Sequence, residues 1–190
     1  MKKIFLLIFF LVNAAATSEL SFAEREDLRF IVKSQYFSIY AQKGVDIDQV
    51  LKVLNYDYFL QLESLLQVLP PNVRNILVKT IDAIYLETSD ILGVNIFTFE
   101  GTIRIYKDKA AMHNHLLEKF GAPAKAPAYF SYDDNTIYLA MEDLTLGIFS
   151  HEMAHAIITH YFGIPPPVKM QEVLSGYVEY NLRKSTGTLP

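Results

Sequence analysis

The chain has 190 residues, enough for one domain, and 51% of them are apolar, which argues for a sizeable core and against disorder. Its 17 basic and 21 acidic residues give a net charge of -4, the wrong sign for work that depends on phosphate contacts, so nucleic acid is not an expected partner. With no cysteine there can be no disulfide framework, thiolate metal site or thiol nucleophile, and any metal must be held by His, Asp or Glu.

The first residues read as an address. Lys2 and Lys3 supply a positive start, residues 4–12 are an unbroken apolar run, and Ala14, Ala15 and Ala16 offer a small-x-small cleavage site. A second cut could follow Ala23. The pattern predicts a signal peptide over residues 1–16, cleaved as late as 23, and hence an exported protein, periplasmic or secreted. The run is much shorter than the roughly 20 apolar residues that cross a hydrocarbon core, so no stable membrane span is expected after cleavage.

Past the leader, residues 35–42 place Phe37, Ile39 and Ala41 on one side in strict alternation, as a half-buried strand would. Residues 46–69 carry apolar positions at three- and four-residue steps and predict a helix stopped by Pro70 and Pro71. The pattern repeats over 73–92, with Gly93 as the C-terminal cap. Residues 102–107 alternate as a strand, after which Asp108 opens a short helix that runs to Phe120 and closes at Gly121. Residues 129–132 and 136–140 flank the turn Asp133-Asp134-Asn135 and read as a hairpin. Asp143 is the expected cap of a helix over 144–162, ended by Gly163 and the prolines at 165, 166 and 167, and a last helix is expected over 168–184. No repeat or linker interrupts residues 24–190, which read as one α+β domain.

The chemistry gathers in residues 151–172. His151-Glu152-Met153-Ala154-His155 falls inside the best-defined predicted helix, where an i, i+4 spacing brings both imidazoles to one face. Two neutral imidazoles so placed can share one zinc ion. Glu152 lies close enough to the open position of that ion to take a proton without being a ligand. Leu144, Ile148, Ile157 and Ile158 mark this helix as a core element, which carries polar groups inward only for a reason. His160 points about 140° away from His155 and is expected as a surface or locally bonded histidine, and His113 and His115, two apart, cannot share a helical face and are expected to be solvated rather than ligating.

A catalytic zinc normally has three protein ligands and an open fourth position. The metzincin pattern would need Gly at 158 and His at 161, where Ile158 and Tyr161 stand. A carboxylate on the next helix remains. Glu172 leaves room for the first helix to end, the chain to reverse over 163–167, and a second helix to pack back. Glu179 shares its stripe but lies about 10 Å further along the axis, so only one of the two can approach the ion. Depth in the helix slightly favours Glu179.

Taken together, His151-Glu152-Met153-Ala154-His155 and the ten residues from Gln171 to Tyr180 resemble the zinc helix and glutamate helix of the peptidase MA-like, or gluzincin, metallopeptidases. In aminopeptidase-N-like members the second motif often reads Asn-Glu-Gly-Phe-Ala-Ser-Tyr-Val-Glu-Tyr, and Tyr177-Val178-Glu179-Tyr180 matches its last four residues in register. Residues 135–139 are similar to the family's edge strand. The resemblance, over about residues 100–184, implies zinc held by His151, His155 and Glu172, with Glu152 as general base. It also implies a small mixed sheet whose edge strand, 136–140, packs on the zinc helix and takes an extended peptide. Gly176 stands where thermolysin-like members carry an Asp that orients a zinc histidine, and Val173 where the family usually has Gly. Glu179 is then an outer partner of a zinc histidine or a solvated charge, and the second is expected. Tyr177 and Tyr180 sit off the face of Glu172 and are expected in the core rather than in catalysis.

The expected function is that of an exported zinc-dependent metallopeptidase acting on peptides or proteins. The alternative is a catalytically weak or inactive gluzincin-fold domain that binds peptides or a partner protein.

Overall fold

The computed structural model describes residues 27–62, 72–96, 98–121 and 126–189; the leader and both cleavage sites lie outside the described residues. The strands are β1 (Leu28–Lys33), β2 (Phe37–Gln42), β3 (Gly101–Tyr106), β4 (Ala128–Ser131) and β5 (Thr136–Ala140). The helices are α1 (Ile47–Val53), α2 (Tyr56–Leu62), α3 (Val73–Leu92), α4 (Lys109–Phe120), α5 (Leu146–Phe162) and α6 (Val168–Ser185). The class is α+β with a mixed sheet, as expected.

The sheet runs β1-β2-β3-β5-β4. Its two outer pairs are antiparallel and its two inner pairs, β2 with β3 and β3 with β5, are parallel. Phe37, Ile39 and Ala41 of β2 are buried in alternation, which is the signal that made the strand readable. The hairpin turn between β4 and β5 is closed by Asn135 at φ 49, a conformation that Asn tolerates better than most residues.

The edge-strand expectation is overturned. β5 is paired on both sides and every one of its residues is buried, so residues 136–140 cannot accept a further strand. The edge is β4. After α4 the chain must return to lie parallel to β3; β5 takes that place, and β4, the first arm of the hairpin, is left outside.

One helix break and one helix start also differ from expectation. Asp46 does cap α1, accepting from the backbone of Asp48 and Gln49, but the helix stops at Leu54 and restarts at Tyr56 because Asn55 adopts φ 55. Residues 63–69 of the predicted helix lie outside the described residues. At α5 the cap is Thr145, whose hydroxyl accepts from the Ile148 N–H at 3.1 Å, and not Asp143. Asp143 sits in a 3₁₀ turn, Met141–Asp143, and its carboxylate pairs with Lys109.

Side chains alternate across the sheet into two cores. Ile103, Ile105, Ile137 and Leu139 pack on one face against Leu77, Ile81 and Ile84 of α3 and Phe149, Met153 and Ile157 of α5. Burying each such side chain stabilises the fold by about 1.5–3 kcal/mol, so α5 is held as firmly as any element of the chain. Tyr106, Tyr138 and Ala140 face the other way, onto Met112 and Leu116 of α4.

His115 belongs to this second core, and the expectation that it is solvated is wrong. It is buried against the rings of Tyr106 and Tyr138, with centroids 5.5 and 5.4 Å away. Burial, and then the charge of Lys119, lower its pKa from 6.5 to about 4, against the opposing pull of Asp134. The unfolded chain therefore binds a proton at His115 that the folded chain refuses between pH 6.5 and about 4. Stability should fall as pH drops through that window, by at most about 3 kcal/mol. Urea titrations of wild type and His115→Leu check this: the difference between the two should change across the window and stay flat above it.

Among the described residues, no helix is long and apolar enough to cross a membrane.

Candidate metal centre

α5 and α6 are joined by the turn that contains the three prolines, and their contacts pair falling numbers on one with rising numbers on the other. His155 meets Gln171 and Glu172, while His151 meets Glu172 and Glu179. The two helices are thus antiparallel, and their seam is lined by the polar residues that the sequence singles out.

The i, i+4 spacing on α5 does what helical geometry requires. The Nε2 atoms of His151 and His155 lie 3.2 Å apart. Oε2 of Glu172 is 3.4 Å from the first and Oε1 is 3.5 Å from the second. Among the described residues, His151, His155 and Glu172 form the group that could hold a metal ion. Glu172, and not Glu179, is the carboxylate that reaches both Nε2 atoms.

Each imidazole is held from behind. Nδ1 of His155 is 3.4 Å from Oε1 of Gln171, whose own amide donates to the carbonyl of Pro166 at 2.7 Å. The latter bond fixes which end of the amide faces the histidine, so an acceptor meets Nδ1. Nδ1 of His151 lies 3.4 Å from Oε2 of Glu179, an acceptor as well. With hydrogen on Nδ1, both rings turn an Nε2 lone pair toward the same point. Burial first, and then the neighbouring His151, hold His155 below the ordinary imidazole range, against Glu172 and the bond to Gln171. The centre so described is made of acceptors alone, two lone pairs and a carboxylate, an arrangement that calls for a cation.

The expectation for Glu179 was a solvated charge, and the structure corrects it. Its second oxygen takes the guanidinium of Arg183 at 3.3 Å, so both carboxylate oxygens are engaged. Glu179 thus stands behind His151, with Oε2 near its Nδ1. Gln171 was missed altogether, although its place immediately before Glu172 on the same helix start was the available hint.

Glu152 points from α5 to the sheet edge, where its Oε2 accepts the N–H of Phe130 on β4 at 2.8 Å. Burial drives its carboxyl well above the usual carboxylate range; His151 and the Phe130 bond pull the other way, and Glu172 adds to the rise. A carboxyl so placed can hold or release a proton near neutral pH, the property a general base needs. His160 is exposed, as expected, with its ring edge-on to Phe99.

Tyr177 and Tyr180 are not core residues: they are 55% and 52% exposed. Both turn away from the seam, so Tyr→Phe at either should leave melting temperature and steady-state turnover within about threefold or 0.5 kcal/mol of wild type. A loss near a hundredfold with the metal retained would instead mark a donor to a developing oxyanion.

No family model, curated protein or solved structure matches the chain.

Proposed function

We propose that this protein is an exported, zinc-dependent metallopeptidase of the gluzincin type, with zinc held by His151, His155 and Glu172. The observation that carries the reading is that the two Nε2 atoms lie 3.2 Å apart and one carboxylate, that of Glu172, reaches both, with Oε2 3.4 Å from one and Oε1 3.5 Å from the other. Tetrahedral zinc with bonds of about 2.0–2.1 Å puts its ligand atoms about 3.3–3.4 Å from one another. Two nitrogens and one oxygen also suit zinc better than calcium or magnesium, which prefer all-oxygen shells. The positive start and apolar run of the leader support export.

When bound, the ion supplies Lewis acidity and makes water a nucleophile at neutral pH. The remaining work falls to the chain. Glu152 accepts the proton of the attacking water and returns it to the departing amine, its carboxyl raised into the useful range by burial. The Phe130 N–H holds that carboxylate at the mouth of the seam. β4, and not β5, is the strand an extended peptide would join, because it is the outermost strand of the sheet on that side and contacts Glu152 through Phe130.

A second reading, a peptide- or partner-binding domain of the same fold without efficient turnover, draws support from α6. Met170, Val173, Tyr177 and Tyr180 form an exposed apolar stripe beside Glu172. A peptide-library cleavage assay, with and without a chelator, separates the two. Chelator-sensitive cleavage is the expected result; binding of library peptides without cleavage would favour the second reading.

A further inference from the structure

We infer that Gly147 is a positioning residue for the metal centre: its missing side chain lets Glu179 and Arg183 close behind His151 and set that ring for the ion. The inference rests on the metal-centre reading above.

Gly147 lies one turn before His151 on the same stripe of α5, and across the antiparallel seam it faces the last turns of α6. A Cβ placed there would stand 2.8 Å from Cδ of Arg183, 3.1 Å from Oε1 of Glu179 and 3.3 Å from its Cγ. Non-bonded carbon atoms settle at about 3.5–4.0 Å, so these side chains pack on bare backbone and a methyl group would push them off. The same two residues bond each other, through Oε1 of Glu179 and Nη1 of Arg183 at 3.3 Å. The other oxygen, Oε2, is the one 3.4 Å from Nδ1 of His151. Displacing Arg183 therefore pivots the carboxylate that keeps hydrogen on Nδ1, and an imidazole protonated at Nε2 has no lone pair for the ion. A glycine inside a helix is less stable there than alanine. Position 147 forgoes that stability, and the space it opens is filled by the two side chains that steady His151.

Next to the clamp is a cavity of about 500 Å³ lined by Leu146, Gly147, Glu179, Arg183 and Thr188 among others. It has room for a free guanidinium ion once Arg183 is shortened.

The test combines zinc competition titrations with ¹⁵N NMR of the histidines in metal-free protein, at a pH of about 8.5, roughly two units above the ordinary imidazole value. Gly147→Ala should weaken zinc by about tenfold, the lower end of the loss for an outer partner, with the metal-free melting temperature unchanged or raised. In the same variant His151 should move from the Nδ1–H tautomer to a mixture. Placed in a Glu179→Ala background, Gly147→Ala should have no further effect on zinc, because the side chain it displaces is gone. Arg183→Ala should behave like Gly147→Ala and regain affinity with added guanidinium. The inference is overturned if Gly147→Ala leaves both affinity and tautomer unchanged, or if its full effect persists without Glu179. A wild type that binds no zinc would sink the metal-centre reading, while the tautomer comparison would still decide the role of Gly147.

Discussion

Glu172→Ala should weaken zinc binding by several hundredfold. Apparent binding free energies of zinc sites run to about 10–16 kcal/mol, so one ligand in four corresponds to roughly 2.5–4 kcal/mol, or about 70- to 900-fold. Among the described residues, no other carboxylate joins His151 and His155 in a group that could hold a metal. Glu179 lies about 10 Å further along α6 and is committed through both oxygens, to His151 and to Arg183. Glu179→Ala should cost only the 10- to 100-fold or so typical of an outer partner. The order of the two losses, read by competition against a chelator, is the informative quantity, and the reverse order would place the ion two turns further along α6. Folding should survive in both variants, since Glu172 is half-exposed and buries little.

Glu152→Gln should abolish hydrolysis while leaving zinc in place. General-base catalysis is worth about 10²–10⁴-fold, and the amide cannot accept the proton. The substitution is conservative in every other respect. The glutamine oxygen can still accept the Phe130 N–H, and a neutral amide removes the burial penalty that raises the carboxyl of Glu152. Melting temperature should therefore hold or rise. A variant that cleaves peptides at the wild-type rate would eliminate Glu152 as the base, and one that loses zinc would show that the carboxylate acts on the ligands instead.

What could be read from the sequence followed from local periodicity. β2 alternates because one face meets the core and the other does not, α3 was legible from three- and four-residue steps with Gly93 as its cap, and α4 from its caps Asp108 and Gly121. β1 gave no such signal. It is an edge strand with a register break between Phe30 and Val32, so its burial has no period of two. The mistaken edge had a signal that went unused: residues 136–140 are almost continuously apolar, the mark of a strand covered on both faces.

The site divides in the same way. The two histidines and Glu152 were fixed by helical spacing alone, whereas the choice of Glu172 over Glu179 depended on how far α6 packs back along α5. That distance is a tertiary quantity set by the proline turn. The Phe130 N–H that holds Glu152 is a backbone group and leaves no trace in residue identity. His115 was misjudged because two histidines two apart were weighed only against each other, while the rings that cover it, Tyr106 and Tyr138, come from the strands before and after its helix.

The most direct measurement is an anomalous-scattering map, at the zinc absorption edge, from crystals of the mature protein grown with zinc. One peak is expected, within about 2.0–2.2 Å of Nε2 of His151, Nε2 of His155 and a carboxylate oxygen of Glu172. No peak there, or a single peak held by other residues, would contradict the proposed centre.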